Sequence, residues 1–506
     1  MRMSFGDARN PLVLVLDIGT SSLRAQIRDG QASAIPDLDI RVPHQVLRSS
    51  DGRATLDADQ ILTGVALAVD QVLERAGSLT QQLGGVAVAT LVSNALGVDS
   101  QGCPLTPVYT YADTRSRADT EELRREVDGQ DVHDRTGCLL HSSYLPSRFR
   151  WLNRTQPDLL SKVARWISIG EYLYWHFFRS YGVSHSVASW SGLLNRHTLN
   201  WDEECISRLP IDASRFSDLV DINQPLVGLV HLWARRWPSL AHLPWFPAVG
   251  DGVAANLGSG CSGPDRLAIT IGTTAAVRTV LKGQVDSVPL GLWSYCLDRH
   301  RSLLGGATSD GGSVFDWIGK TLKLPDTTEL EEALAGVEPA TPGLAFLPFL
   351  SGERIPGWRD DARASFVGLT LATQPVEMLR AALEGVAYRL ALIHELLRPH
   401  LSEDYQIHAG GAGLMASPVW LQILADVFGL PITAAAEQET TGRGLALLTL
   451  ESLGTVDDIN TMASDRGRSY DPDPRRHERY RATLTHHQHL YHLLIGQERG
   501  RPGFPL

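Results

Sequence analysis

The stretch Leu12-Val13-Leu14-Val15-Leu16-Asp17-Ile18-Gly19-Thr20-Ser21-Ser22-Leu23-Arg24 is an apolar run that breaks at Ile-Gly-Thr-Ser and resumes as alternating residues. That pattern predicts a strand, a tight turn and a second strand. A weakened copy follows about half a chain later, Ala268-Ile269-Thr270-Ile271-Gly272-Thr273-Thr274-Ala275-Ala276-Val277-Arg278. A hairpin used twice at that distance points to an internal repeat. Glycine in such a turn lets backbone approach a ligand. Exposed N–H groups and the hydroxyls of Thr20, Ser21, Ser22, Thr273 and Thr274, with Gly272, offer donors to phosphate oxygens. Two such loops facing each other would clamp a nucleoside triphosphate. Only the first copy carries a carboxylate, Asp17, matched by Thr270 in the second. One loop is therefore expected to handle a metal ion and the other the phosphates.

A chain of 506 residues, 43% hydrophobic and 20% charged, is long enough for two or more cores, and the repeat divides it into two large halves. The formal net charge of −11 gives no global field for nucleic acid or an anionic membrane. A small anionic substrate can still be held by local arginines. Five cysteines (Cys103, Cys138, Cys205, Cys261, Cys296) lie far apart, odd in number and without metal-ligand spacing, as ordinary thiols of a reducing compartment do. Met1 to Asp7 lacks an apolar signal core and no apolar stretch reaches the length of a membrane span, so the cytoplasm is the expected location.

Strand-like runs alternate with amphipathic segments, which predicts an α/β fold. A helix is expected near Ala58 to Ala76, followed by a buried strand from Gly84 to Thr90. Residues 115–205, rich in Arg, Trp and Tyr, read as an insertion on the first half. A Trp- and Pro-rich stretch ends at Ala248-Val249-Gly250-Asp251-Gly252, and the domain boundary is placed there: residues 11–249, 250–455, and a terminal helix with tail over 456–506. Arg475 to Gly496 is the expected helix, packed back on the body.

Two familiar nucleotide motifs compete for attention. Gly319-Lys320-Thr321 resembles the end of a P-loop, but the required earlier glycine is Val314 and the segment reads as amphipathic helix. Gly411-Ala412-Gly413-Leu414-Met415-Ala416 fits the dinucleotide pattern and follows a plausible strand, Tyr405 to Ala409. A dinucleotide-dependent oxidoreductase is thus an alternative, although the motif comes late, behind the repeated phosphate-loop pattern. It fits better as a third nucleotide contact, with Gly410, Gly411 and Gly413 laying backbone against a base or phosphate, and with Ser417 opening a helix to Gly429. Asp251, between Gly250 and Gly252, is the candidate proton acceptor; an Asp at a helix start also serves as an N-cap. A carboxylate suffices for phosphoryl transfer, because the loose transition state mainly needs an aligned nucleophile whose proton is accepted late.

Together these pieces resemble the FGGY carbohydrate kinases of the sugar kinase, actin and ATPase-chaperone superfamily, over roughly residues 11 to 455. The matching elements are Asp17 to Ser22, Gly250-Asp251-Gly252, Ile271 to Thr274, Gly305 to Gly312, Phe346 to Pro356, Ala362 to Leu369, Ala382 to Tyr388, and the glycine stretch leading to Gln422-Ile423-Leu424-Ala425-Asp426. The resemblance implies two actin-like (ribonuclease H-like) ATPase domains related by duplication with a cleft between them. It implies ATP with Mg²⁺ mainly on the C-terminal half and a sugar or polyol on the N-terminal half. It also implies that Asp17, with Asp251, holds Mg²⁺; that Thr20, Ser21 and Ser22 lie near the transferred group; that Thr273 and Thr274 contact the β/γ-phosphates; and that Asp251 is the base. Glu353-Arg354 is a family pattern with a structural role open to it.

For the substrate, xylulose kinases of the family carry a Met-His pair where this chain reads Leu91 to Asp99, including Ser93 and Asn94. Arg135 to Pro146 and Ile169 to Asn195 look more like the family's gluconate kinases. A sugar acid needs a cation, and Arg115, His141, Arg148 and Arg150 are candidates, with Asp113 and Tyr144 beside them; Asp113 and Arg115 could equally form an internal ion pair. The expected function is ATP-dependent phosphorylation of a sugar or sugar acid, gluconate to 6-phosphogluconate first. A pentulose or polyol (xylulose, ribulose, erythritol) is the alternative, and a non-catalytic sugar- and nucleotide-binding protein a further one. No nucleic-acid or membrane partner is expected, and a homodimer is left open.

Overall fold

The computed structural model describes residues 9–339, 343–359, 361–437, 439–462 and 466–496. The hairpin that opens the chain is β1 (Leu12–Ile18) against β2 (Ser22–Arg28), continued antiparallel by β3 (Ala34–Pro43). On the other side of β1 lie β4 (Leu83–Thr90) and then β5 (Val249–Gly250), both parallel. The first sheet therefore runs β5-β4-β1-β2-β3, so Gly250 and the Asp251 that follows it go with the first half, past the boundary expected at residue 250. β1 reads as a continuous apolar run because both of its faces are covered. Leu12, Leu14, Leu16 and Ile18 pack with Ile61, Val65, Val69 and Val72 of helix α1 (Ala58–Ala76), while Val13 and Val15 face the core shared with the second half.

The second half repeats this plan. Strand β6 (Arg266–Ile271) pairs antiparallel with β7 (Ala275–Lys282). Beyond β7 come β9 (Arg301–Thr308) and the edge strand β8 (Trp293–Cys296). Across β6 lie β10 (Gln406–Gly410) and β11 (Ile432–Ala435), both parallel. The order β11-β10-β6-β7-β9 reproduces β5-β4-β1-β2-β3 with the same directions. β8 and β12 (Arg466–Tyr470) extend its two edges. β12 comes from the polar stretch after residue 453, where no strand is expected from sequence.

Between the sheets' strands run α2 (Leu145–Thr155), within the insertion on the first half, α3 (Asp251–Gly258), α4 (Gly312–Thr321), α5 (Pro375–Leu397), α6 (Pro418–Phe428), α7 (Thr440–Ser452) and α8 (Pro474–Leu494). Helix α3 follows β5 and α7 follows β11, so they are counterparts, and they pack on each other where the two halves meet. Their backbones touch: a Cβ on Gly444 would sit 1.9 Å from the Ala254 carbonyl oxygen. Arg443 adds a hydrogen bond of 2.9 Å to the Gly258 carbonyl. The insertion reaches across as well, with His133 Nε2 2.9 Å from the Leu292 carbonyl oxygen and Ser294 N donating to the Gly137 oxygen at 3.0 Å. Gly319-Lys320-Thr321 is the exposed last turn of α4, with no phosphate loop before it. The expected tail over residues 497–506 and the opening Met1–Asp7 lie outside the described residues. No described helix is long and apolar enough to cross a membrane.

Candidate functional site

Crevices form where parallel strands end and their connections leave in different directions. Asp17 stands near the C-terminal end of β1, opposite Ala89 on β4, and Asp251 follows β5 directly. Gly250 is the N-cap of α3 and Asp251 its first residue, so the expected N-cap role passes to glycine, and Asp251 Oδ1 accepts only the neighbouring Gly252 N–H, at 2.7 Å. Neither carboxylate has an ion-pair partner among the described residues. Burial, then the charge of Asp251, push the Asp17 carboxyl up to about 7 against the pull of Arg24. Burial also raises Asp251, opposed by the Gly252 N–H and by Arg278. The glycines flanking Asp251 make room for an indole. A Cβ on Gly250 would lie 2.9 Å from Trp190 Nε1, and Trp190 in turn stacks on Tyr295 of the other half with ring centroids 3.6 Å apart.

At the equivalent strand ends of the second half, three backbone segments converge. Gly272 accepts from Gly312 N at 2.7 Å, and Thr273 accepts from Gly311 N at 3.0 Å and Ser313 N at 3.1 Å, which fixes the β6–β7 turn to the start of α4. Gly411, at φ 99°, brings the third segment in, where a Cβ would sit 2.4 Å from the Ile271 carbonyl oxygen. Gly413 lies beside Gly272 and Gly312 and Gly410 precedes them on β10, so the expected nucleotide glycines share one side-chain-free cradle. Thr273 is exposed and Thr274 partly so at its rim. Ser417 does not belong to it: buried, its Oγ caps α6 by accepting from Trp420 N at 3.2 Å. In the first turn, Ser21 is exposed, Ser22 Oγ accepts from Arg41 at 3.0 Å, and the Thr20 carbonyl oxygen is 3.0 Å from His44 Nε2.

The cations expected to meet a sugar carboxylate are already occupied. Asp113 is fully buried and takes Arg115 at 2.6 Å and Arg148 at 2.8 Å, the internal pairing left open above. Although burial opposes it, the two guanidinium groups hold the Asp113 carboxyl below its usual range. Arg148 on α2 also donates to the Asp113 and Thr110 carbonyls, and Arg115 lies over the Trp151 ring. Arg150 pairs with Glu126 on the surface, with 2.7 Å between Nη1 and Oε1. Asn94 is spent on the backbone, donating to Leu91 O at 2.6 Å and accepting from Ile169 N at 2.8 Å, and Ser93 donates to Trp190 O at 2.6 Å. His141 Nδ1 meets Ser143 Oγ at 2.8 Å with its ring edge-on to Trp358, and Tyr144 shares a 2.6 Å hydrogen bond with Tyr295.

Two arginines of the second half come near: Arg278, which the sequence analysis did not single out, stands beside Asp251, and Arg354, of the Glu353-Arg354 pattern, is close enough for its charge to act on Arg278. The Arg278 guanidinium carbon lies 3.8 Å from the place a Cβ on Gly252 would occupy, beside Asp251. Arg354 follows Glu353, which is held by Arg389 and by Tyr491 at 2.6 Å, so Glu353 braces the loop and leaves Arg354 beside it. The Nε atoms of both arginines are buried without a hydrogen-bond partner.

The chain matches the model of the FGGY carbohydrate kinase N-terminal domain over residues 12–258 and that of the C-terminal domain over residues 267–452. It is similar to a gluconokinase of Bacillus subtilis (strain 168), 28% identical over 475 residues and 91% of both chains. Among solved structures it resembles a ligand-bound xylulose kinase from Lactobacillus acidophilus, with TM-score 0.88 at 23% identity over 96% of this chain and 98% of that one. A gluconate kinase from the same organism gives 0.86 at 23% over 96% and 98%. At such identities the structures speak for the fold alone. The duplicated sheets and the match along both halves establish that the chain belongs to the FGGY family of carbohydrate kinases.

Proposed function

We propose that this kinase phosphorylates gluconate with ATP, giving 6-phosphogluconate, and that Asp251 is the general base. The observation that carries the reading is the placement of two carboxylates without ion-pair partners, Asp17 and Asp251, at the strand ends of one half, with a backbone cradle free of side chains at the equivalent strand ends of the other. The substrate hydroxyl would lie against Asp251, with the γ-phosphate held by the N–H groups and hydroxyls of Thr273 and Thr274, because the N–H groups of Gly272, Gly311, Gly312 and Ser313 are taken up in fixing the turn. The transition state is loose, so Asp251 needs to hold the hydroxyl in line and take its proton as the bond to phosphorus forms. Trp190 on Tyr295 covers this position from the side and excludes water that would otherwise hydrolyse ATP.

Asp17 and Asp251 fit Mg²⁺, whose shell is mostly water and phosphate oxygen, because neither carboxylate has an ion-pair partner among the described residues and the charge of Asp251 raises the proton affinity of Asp17. When bound, Mg²⁺ supplies neutralising charge to these carboxylates and to the phosphates. Five free cysteines agree with a reducing, cytoplasmic setting. Gluconate is favoured by the similarity to gluconokinases along 91% of both chains. A coupled assay with ATP and a panel of sugar acids, pentuloses and polyols tests it: gluconate is expected to give the highest kcat/KM. Faster turnover of xylulose, ribulose or erythritol than of every sugar acid would overturn gluconate and leave the kinase standing.

A further inference from the structure

The terminal helix α8 lies beyond both domain models, which end at residues 258 and 452, yet two of its tyrosines enter buried ion pairs of the second half. Near its start, the Tyr480 hydroxyl donates to Glu384 Oε1 at 2.9 Å and accepts from Arg380 Nη2 at 3.0 Å, inside a pair that belongs wholly to α5. About three turns on, and so on the same face, the Tyr491 hydroxyl donates to Glu353 Oε2 at 2.6 Å, inside the pair that Glu353 makes with Arg389 of α5. The two contacts differ in what the glutamate carries. Glu384 is part of a helix, whereas Glu353 is part of a loop that starts beside the phosphate cradle and ends at the first half.

The start of that loop is fixed by Asp310, which accepts from Ser351 N at 2.8 Å and from the Ser313 hydroxyl of α4 at 3.0 Å. Its two ends are tied by Glu353 N donating to the Arg359 carbonyl at 2.8 Å. Glu353 Oε1 accepts from Gly357 N at 3.0 Å, and Gly357 is so close to Tyr491 Oη and Glu353 Oε2 that a Cβ there would strike both. The next residue, Trp358, takes a left-handed backbone, φ 51°, which a bulky residue keeps only where its surroundings enforce it. Its buried ring meets His141 with centroids 5.2 Å apart and Tyr144 at 6.5 Å, both on the first half. Tyr144 is hydrogen-bonded to Tyr295, Tyr295 stacks on Trp190, and Trp190 lies against the glycines on either side of Asp251. A continuous wall of rings therefore runs from Asp251 to Trp358, and its far end is held by the Glu353 carboxylate. Removing the Tyr491 hydroxyl leaves that buried carboxylate short of a donor and frees the Gly357–Trp358 corner to shift. We propose that Tyr491 is a positioning residue for the acceptor: through Glu353 and Gly357 it holds Trp358 against His141 and Tyr144 and so shapes the acceptor side of the crevice. This rests on the substrate hydroxyl lying against Asp251, whichever sugar carries it.

The second tyrosine supplies the control. Tyr491→Phe and Tyr480→Phe each take one hydroxyl from a buried Arg–Glu pair on the same face of α8, and the pair at Tyr491 is the one that includes a loop residue. Steady-state kinetics are to be measured with ATP and the acceptor that gives the highest kcat/KM in the panel above. The readout is KM, which does not depend on the fraction of enzyme folded. Tyr491→Phe is expected to raise the KM for the acceptor about tenfold while the KM for ATP stays within about twofold, and Tyr480→Phe to leave both within about twofold. Combining Tyr491→Phe with Trp358→Leu should raise the acceptor KM no further than Trp358→Leu does alone, because the hydroxyl acts through that ring. An unchanged acceptor KM in Tyr491→Phe, an equal rise in Tyr480→Phe, or additive effects in the double variant would each overturn the proposal. Failure of the reading beneath it shows separately, as near-normal kcat in Asp251→Asn.

Discussion

The β1–β2 and β6–β7 hairpins occupy equivalent places in two sheets of the same order and direction, yet they are built differently. Ile18 pairs with Leu23 around a four-residue turn, whereas Ile271 pairs with Ala275 around three. The longer turn is closed by the Gly19 N–H on Ser22 O and held from the end of β3 by His44, through its N–H on Ser21 O and its ring on Thr20 O, with Arg41 on Ser22 Oγ. The shorter one is fixed by backbone, through Gly311, Gly312 and Ser313. Duplication thus supplied two copies of one scaffold and the halves diverged in charge: carboxylates at the strand ends of the first, N–H donors and arginines in the second. Phosphoryl transfer needs both, a base for the hydroxyl and donors for the phosphate. A base and a phosphate cradle on separate halves can be brought together by closing them.

Removing the charge from the first half should have the largest effect. Asp251→Asn is expected to lower kcat by about 10²-fold or more while the KM values for ATP and sugar change only a few-fold. Steady-state kinetics decide this, and near-normal turnover would remove Asp251 as base and with it the division of labour between the halves. The next effect separates structural charge from functional charge within the first half. Arg148→Met leaves Asp113 buried with Arg115 as its remaining partner, so it should cost about 3 kcal/mol of stability. Denaturant unfolding measures that, and the preference for gluconate over neutral substrates should not move. A shift in that preference with unchanged stability would return Arg148 to the sugar.

The fold was legible where one signal dominates locally. Helix α1 runs from Ala58 to Ala76, as its apolar spacing and the following Gly77 predict, and β4 begins one residue before the expected Gly84. Asp17, Asp251 and the glycine segments were legible because each sits in a turn whose chemistry is nearly independent of the rest of the chain. The arginines were not. Arg24 and Arg278 each close their copy of the motif, but the shorter turn and an added residue move Arg278 two positions farther along the same face, away from the turn. Arg24 lies opposite Asp17, and Arg278 opposite Ala268. Arg148 looked free because its partner Asp113 lies on another segment, and only tertiary packing brings the two within 2.8 Å.

Two smaller effects sharpen the contrast between the turns. Thr273→Val keeps the shape of the backbone-fixed turn and removes one hydroxyl donor. It is expected to raise the KM for ATP about threefold to tenfold with little change in kcat, the worth of a single hydrogen bond. An unchanged KM would mean that the backbone alone holds the phosphates.

The smallest effect is at Asp17, where β1 leads into the longer turn, and appears in the protein without ligands. The Asp17 carboxyl, ordinarily at 3.8, is pushed up to about 7 in the folded chain. Between those values the folded state binds a proton that the unfolded state has lost, so this contribution to stability is complete below the lower value and disappears as pH rises through the upper one. Above about pH 7 Asp17 is a net cost to the ligand-free fold. Asp17→Asn removes that cost while keeping the shape of the side chain. The Tm of the ligand-free variant at about pH 7.5 should therefore exceed that of the parent by about 1–2 °C, and its decline with rising pH should be shallower. The same substitution should weaken the response of activity to added Mg²⁺, because the charge that burdens the empty site is the one proposed to hold the metal. Parallel Tm–pH profiles for the two proteins would show that Asp17 is ionised at no cost, and the metal would then have to be held from the other half.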